Sequence, residues 1–95
     1  MSVTVMLEFD IAPSVVDRVK RERPELDAAI GEVIGKHGFL GHLRLAQADR
    51  FVDLDTFESL EHYRRFKAEA QSRIDAYEAA LGVVSRETIW ETVGD

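Results

Sequence analysis

The chain opens with a stretch in which apolar residues occupy every second position. These residues are Val3, Val5, Leu7, Phe9 and Ile11. A period of two predicts a β-strand with one apolar face. Pro13 follows and ends this strand, and Pro13 or Ser14 can begin a helix.

The next stretch changes to the three- and four-residue spacing of an amphipathic helix. Its apolar positions are Val16, Val19, Leu26, Ile30, Val33 and Ile34. Pro24 interrupts the run, but the helical phase continues beyond it. This predicts either one kinked helix or two short helices laid end to end. The segment 35–38 ends the helical stretch and contains a glycine suited to a left-handed cap.

Two further strands are predicted over residues 39–47 and 50–55, joined by a tight connection near Ala48 and Asp49. The side chains of each strand separate into an apolar set and a mixed set. The apolar sets are Leu43 with Leu45 and Val52 with Leu54, and the mixed sets are His42, Arg44 and Ala46, then Phe51, Asp53 and Asp55.

A long second helix begins within the segment DTFESLEHYRRF, residues 55–66. Asp55 or Thr56 can cap it, and Glu58 suits a capping box. Its apolar stripe consists of Leu60, Tyr63, Phe66, Ala70, Ile74, Tyr77 and Leu81. This predicts a helix of about 24 residues that ends at Gly82. Residues 83–93 alternate again and predict a last strand.

The element order is β-α-β-β-α-β, and residues 1–95 are expected to form a single domain. With right-handed crossovers, the order predicts an α+β, ferredoxin-like fold with a four-stranded antiparallel sheet and both helices on one face. We expect Met6, part of the Phe51 row and either Trp90 or Ile89 on the other face. Apolar groups there predict a homodimer in which two sheets pack face to face.

Composition narrows the range of partners. The net charge is −6, from 12 basic and 18 acidic residues, so the chain is not expected to bind nucleic acid. The absence of cysteine excludes disulfides and thiolate sites. The first residues contain neither a basic segment nor a long apolar run. We therefore expect no signal peptide, no membrane span and a cytoplasmic location.

The histidines and their neighbours are the main candidates for chemistry. His62 can act as a base toward a phenol, although its position at the edge of the helix stripe fits a surface histidine better. Tyr63 lies in the stripe, where it either donates a hydrogen bond into a pocket or packs in the core. The position of Trp90 on the last strand suits core or dimer packing, of which we favour the core.

His42 and Arg44 share one face of their strand, and Asp53 and Asp55 can lie across from them. This arrangement fits a polar cluster that lines a cavity, with Arg44 stabilising an oxyanion. It also fits a cross-strand salt bridge on the dimer side, which we favour.

No metal or cofactor is predicted. None of the three histidines is paired with a carboxylate in the spacing of zinc enzymes. Glycine-rich phosphate loops, a serine nucleophile elbow and flavin fingerprints are absent from the sequence.

Two short motifs resemble a known family. Gly38-Phe39-Leu40-Gly41 leads into the second strand, and Phe57-Glu58-Ser59-Leu60 leads into the long helix. Both motifs, with the element order of nearly the whole chain, resemble the dimeric α/β-barrel superfamily. The most similar members are the antibiotic-biosynthesis-monooxygenase-like proteins. The resemblance implies a ligand pocket between sheet and helices, for which the expected lining residues are Phe9, Phe39, Phe66 and Trp90.

The resemblance also implies cofactor-independent monooxygenation of an aromatic or polyketide-like molecule. His62 or His42 would then deprotonate a phenol. The family's usual histidine position holds Phe66 here, and the cyclase-type histidine would fall near Ser72, so no catalytic residue transfers by motif. Two alternatives stay open: a polyketide cyclase that closes a ring by aldol chemistry with Tyr63 as proton donor, and a non-catalytic binding or stress-associated barrel.

Overall fold

The computed structural model describes residues 1–94. Its elements in chain order are β1 (Val3–Phe9), α1 (Pro13–Glu22), α2 (Pro24–Ile34), β2 (Phe39–Ala46), β3 (Phe51–Phe57), α3 (Leu60–Leu81) and β4 (Arg86–Glu91). The strands form one antiparallel sheet in the order β2-β3-β1-β4. This is the predicted ferredoxin-like α+β arrangement.

Prolines set the bounds of the first helical layer. Pro13 and Pro24 each stand at the start of a helix, where the missing N–H leaves no hydrogen bond unmade. Arg23 between them has φ −131° and ψ 60°, so the chain forms two helices rather than one kinked helix. The C-cap Gly35 keeps right-handed angles, and the left-handed glycine of this segment is Gly38, with φ 65°.

The helix α3 begins later than predicted. β3 continues through Asp55 and Thr56, which pair with both β1 and β2, so neither residue caps the helix. The N-cap is Ser59, whose hydroxyl accepts the backbone N–H of His62 at 3.2 Å. The helix has 22 residues and ends, as predicted, at Gly82, which adopts the left-handed φ of 84°.

The helices pack on one face of the sheet, which we call the covered face. It carries Val3, Val5, Leu7, Phe9, Phe51, Asp53, Asp55 and Phe57. The opposite, open face carries Met6, Leu43, Leu45, Val52, Leu54 and Trp90. The prediction that placed Phe51 on the open face was wrong, because Phe51 pairs with Phe9 and is buried under the helices. Trp90 lies on the open face and Ile89 does not, since Ile89 pairs with Val5.

Two apolar clusters fill the space between the covered face and the helices. The first consists of Val3, Val5, Val33, Phe57, Tyr63, Phe66 and Ala70, and the second of Phe9, Val16, Val19, Phe51, Tyr77 and Leu81. On β3, Asp53 and Asp55 lie between the phenylalanines of the two clusters. Charged groups therefore stand where the covered face would otherwise be continuously apolar. Within residues 1–94, no helix combines the length and the apolar character that crossing a membrane needs.

Candidate functional site

A cavity of about 270 Å³ lies between the covered face and the helices. Its apolar walls are formed by Leu7, Phe9, Ile30, Ile34, Phe39, Phe66 and Ile74. Its polar side chains include His42, Arg44, Asp53, Asp55, Tyr63 and Tyr77. An apolar pocket with a few convergent polar groups is the usual form of a small-molecule site. The mouth of this cavity follows β2, where His42 and Arg44 are exposed.

An irregularity in β2 brings aromatic and polar groups to the same side. Phe39 pairs with Phe57 and Gly41 pairs with Thr56, so Leu40 is an extra residue that forms a β-bulge. Phe39 and His42 are three positions apart and would face opposite sides of a regular strand. Because of the bulge both side chains reach the cavity, with their ring centres 6.3 Å apart.

A histidine and two aspartates meet at the cavity mouth. His42 pairs with Asp55 and Arg44 with Asp53 across the β2–β3 ladder. One side-chain ligand atom from each of His42, Asp53 and Asp55 lies within 4.8 Å of the other two, and this is the one such group of three among residues 1–94. These three residues are called the triad below.

The favoured interpretation of these residues, a salt bridge on the dimer side, was wrong. Their side chains lie on the covered face, because β3 pairs Asp55 with the fully buried Val5. Within the described chain, Arg44 forms no ion pair with either carboxylate. Its guanidinium instead lies 5.6 Å from the centre of the Phe51 ring. Asp53 Oδ1 is buried without a hydrogen-bond partner.

The surroundings of the two carboxylates disfavour negative charge. Burial, and next the charge of Asp53, raise the pKa of Asp55 to about 7, while Arg44 acts in the opposite direction. Burial also raises the pKa of Asp53, against the charges of Arg44 and His42. The protonated form of Asp55 is therefore favoured far more than is usual for an aspartate.

A second polar group lies on the α3–β4 side of the cavity. The Tyr63 hydroxyl donates a hydrogen bond to Glu87, and the Lys67 ammonium donates to the same carboxylate at 3.0 Å. Burial, and then the bond to Glu87, raise the pKa of Tyr63 above its usual value. The only hydroxyl proton of Tyr63 is thus held by Glu87, so it is not free for a ligand in the cavity.

No family model matches the chain, and no curated protein matches it either. Solved structures do. SnoaB, a cofactor-independent oxygenase from Streptomyces nogalater, is 18% identical with a TM-score of 0.65, over 99% of this chain and 95% of SnoaB. The Streptomyces coelicolor monooxygenase ActVA-Orf6, in complex with nanaomycin D, is 17% identical with a TM-score of 0.72, over 99% of this chain and 89% of its own. The chain has the fold of these monooxygenases.

That fold is shared more widely. A NIPSNAP family protein from Agrobacterium tumefaciens is 15% identical with a TM-score of 0.66, over 98% of this chain and 94% of that protein. The antibiotic-biosynthesis monooxygenase fold therefore frames the site of this chain, and the chemistry has to be argued from the side chains in the cavity.

The structure places six of the eight sequence-derived site residues on the cavity: Phe9, Phe39, His42, Arg44, Tyr63 and Phe66. His62 does not line it, because it lies on the flank of α3 with Nδ1 2.6 Å from the Ser59 hydroxyl and Nε2 3.5 Å from Glu58. Trp90 does not line it either, because it lies on the open face and is 56% exposed. The favoured assignment of Trp90 to the core was therefore wrong.

Asp53 and Asp55 entered the sequence analysis only as neighbours of His42 and Arg44 in the cavity arrangement that was not favoured, and neither was assigned to the site. The signal that could have found them is the segment FVDLDTF, residues 51–57. The two aspartates share the period-two phase of Phe51 and Phe57. A strand face that begins and ends in phenylalanine is a face that will be buried, and the two carboxylates go with it.

Proposed function

We propose that this chain is a cofactor-independent monooxygenase of the antibiotic-biosynthesis type. Its substrate would be an aromatic, polyketide-like molecule bound in the cavity between sheet and helices. The observation that carries the proposal is the apolar cavity with a histidine, the buried Asp55 and the partly buried Asp53 at its mouth. The fold shared with SnoaB, a cofactor-independent oxygenase, supports the same conclusion.

In this proposal His42 is the base. Its imidazole is at the cavity mouth, where the phenolic hydroxyl of a bound ligand would meet it. Removal of that proton gives an electron-rich anion that passes one electron to O2, and the two radicals then combine at the ring carbon. The peroxide anion takes back the proton held by His42, and loss of water from the resulting hydroperoxide leaves a carbonyl, so a CH2 group and O2 become C=O and H2O. No nucleotide or flavin takes part in this balance.

The other side chains would hold the ligand and stabilise its charge. The guanidinium of Arg44 lines the same mouth and would stabilise the oxyanion as it forms. Phe9, Phe39 and Phe66 supply flat apolar walls for an aromatic ring. The cyclase alternative has weaker support, because the proton of Tyr63 is already donated to Glu87.

We also infer that the chain forms a homodimer through the open face. Leu43, Leu45 and Trp90 are 56%, 50% and 56% exposed there. A contiguous apolar surface of this kind is costly in water and is typical of an interface. A second copy supplies a surface of the same chemistry, related by a twofold axis.

Oxygen consumption tests the reaction. Purified protein, kept in EDTA, is given an anthrone or a naphthol, and O2 uptake is followed with an electrode. We expect His42→Ala to reduce the rate by about 100-fold or more, as loss of a general base does. His62→Ala is the matched control and should keep the rate. Loss in His62→Ala with retention in His42→Ala would move the base to α3. Ligand binding without any O2 uptake would contradict the oxygenase proposal and support the alternative of a non-catalytic binding protein.

A further inference from the structure

We propose that the triad of His42, Asp53 and Asp55 is a binding site for a divalent transition-metal ion at the cavity mouth. The site offers one imidazole nitrogen and two carboxylate oxygens within 4.8 Å of one another. Donors bound to one ion at about 2.1 Å lie roughly 3–4 Å apart. Small side-chain rotations would therefore bring the three atoms onto one ion.

Both carboxylates lack the partners that buried charges require. Asp55 is only 9% exposed, and its side chain has no hydrogen bond or ion pair within residues 1–94. Asp53 Oδ1 is buried and also unpartnered. Buried polar atoms in native proteins are nearly always bonded, and an exception calls for a bound water or ion. A cation between the two carboxylates supplies a partner to both.

None of the neighbouring cations forms an ion pair with Asp53 or Asp55 in the described structure. Arg44 acts electrostatically on both aspartates, but its guanidinium lies over Phe51 and forms no ion pair with them in the described structure. The ammonium of Lys20 lies 3.9 Å from Asp27. Within residues 1–94, neither aspartate is thus in direct contact with a cation, although the charges of His42 and Lys20 also act on Asp53 from a distance.

The other histidines provide an internal comparison. His37 lies 3.1 Å from Glu69, and His62 lies 3.5 Å from Glu58. Each has a single carboxylate, and those carboxylates are largely exposed. Only the triad combines a histidine with two carboxylates in the described chain.

The donor set indicates the class of ion. An imidazole with two carboxylates suits Zn²⁺ and Mn²⁺, whereas Mg²⁺ and Ca²⁺ prefer oxygen ligands alone. The remaining coordination positions would face the cavity, where an anionic ligand oxygen can complete the shell. This inference goes beyond the proposed oxygenase and does not depend on it, because ion binding is measured without substrate. A bound ion would occupy the lone pair of the His42 imidazole. His42 could then act as a base only in the metal-free protein.

Isothermal titration of EDTA-treated and dialysed protein with ZnCl2 tests the site. We expect one ion per chain, a rise in Tm on binding, and much weaker binding of MgCl2. His42→Ala and Asp55→Asn should each weaken Zn²⁺ binding by more than about 100-fold, which exceeds the effect of losing an outer hydrogen-bond partner. His37→Ala and His62→Ala should bind as the wild type does.

Folding of the variants is checked in the same experiment. His42 is exposed, so its removal leaves the core intact. Asp55→Asn removes an unpartnered buried charge, so the metal-free variant should melt at or above the wild-type temperature while losing the rise caused by Zn²⁺. The proposal is overturned if the wild type takes up no Zn²⁺, if His42→Ala and Asp55→Asn bind it normally, or if binding is lost with His37 or His62.

Discussion

The two faces of the β2–β3 ribbon have opposite chemistry. The face that is open to water carries apolar side chains, and the face under the helices carries carboxylates. Val52 and Leu54 on the open face have no helix above them, whereas Asp53 and Asp55 lie under the helices. A ribbon selected for the stability of a single chain would have the apolar pair buried and the carboxylates in water. The reversal agrees with the two proposals made above, that the open face forms a dimer and that the covered face binds a ligand or an ion.

The two faces are unfavourable in different ways. Burial of apolar surface stabilises a protein by roughly 25 cal/mol for each Å² removed from water. An exposed apolar side chain lacks this stabilisation until a partner covers it. A buried carboxylate without a partner is less stable than the same group in water, and it responds by binding a proton or a cation. Contact with another protein surface would therefore stabilise the open face, and a small ligand or an ion would stabilise the covered face.

The largest effect is expected from a charge placed on the open face. Leu43 is exposed in one chain, so Leu43→Asp should leave the fold intact. In a twofold dimer the substitution enters the interface twice, and like charges brought together in an interface destabilise it by several kcal/mol. Light scattering with size-exclusion chromatography should give a dimer for the wild type and the 10.7 kDa of one chain for the variant.

Ala68→Asp is the matched control, because Ala68 is exposed on α3 and away from the sheet. It should remain a dimer. A wild type that stays at 10.7 kDa at high micromolar concentration would contradict the proposal that the open face forms a dimer.

The next largest effect concerns the covered face and depends on pH. The pKa of Asp55 is raised from its ordinary value to about 7 by burial and by Asp53, so the folded state holds a proton that the unfolded state releases near pH 4. The free energy of unfolding of the metal-free protein should therefore fall as the pH rises from about 4 to about 7. Asp55→Asn should flatten this fall and be more stable than the wild type at pH 8 by roughly 2–4 kcal/mol.

Urea unfolding at several pH values, in EDTA, measures the difference. Asp49→Asn is the control, because Asp49 is exposed in the turn between β2 and β3. Asparagine is a common residue in such turns. A wild type and an Asp55→Asn variant with parallel pH profiles would show that Asp55 is not forced to titrate near neutrality.

The strands of both faces could be predicted from alternation alone, whereas the cavity position of Phe9, Phe39 and Phe66 was expected only from the family resemblance. The assignment of faces failed where the chemistry is reversed. In FVDLDTF the aspartates were expected either in a polar cluster that lines a cavity or in a salt bridge on the dimer side, and the dimer side was favoured. The flanking phenylalanines decide the burial of this face, because they fill the two apolar clusters. Asp55 and Thr56 have the side chains of helix caps, yet pairing on both sides keeps them in the sheet.

The sequence analysis placed Asp53 and Asp55 across from His42, but local spacing could not show that the three side chains meet, because they lie on two strands. The geometry of the triad follows from the turn. The Gln47 N–H donates to the Arg50 carbonyl at 2.9 Å, which fixes Ala46 opposite Phe51. Counting back along both strands then gives His42 opposite Asp55. The bulge at Leu40 is different in kind, since nothing in the alternation marks where one extra residue enters a strand.

The smallest effect is expected at Gly38, where β2 begins. Its φ of 65° is in the left-handed region, and an added Cβ would lie 2.7 Å from His62 Cδ2. Its carbonyl accepts the Glu58 N–H at 2.8 Å, so it holds the start of β2 against the start of α3. Gly38→Ala should lower the free energy of unfolding by about 1–2 kcal/mol, from backbone strain and the displaced imidazole.

Gly31→Ala is the contrasting variant, because an added Cβ there meets nothing within 4 Å and the residue lies inside α2. It should be stabilising by about 0.5–1 kcal/mol, since alanine favours the helix. The strain at Gly38 acts at the end of β2 that leads into the bulge and His42, whereas the open-face leucines lie further along the strand. Gly38→Ala should therefore weaken Zn²⁺ binding at the triad while leaving the dimer intact. A variant that lost the dimer but kept Zn²⁺ would show that the start of β2 supports the open face instead.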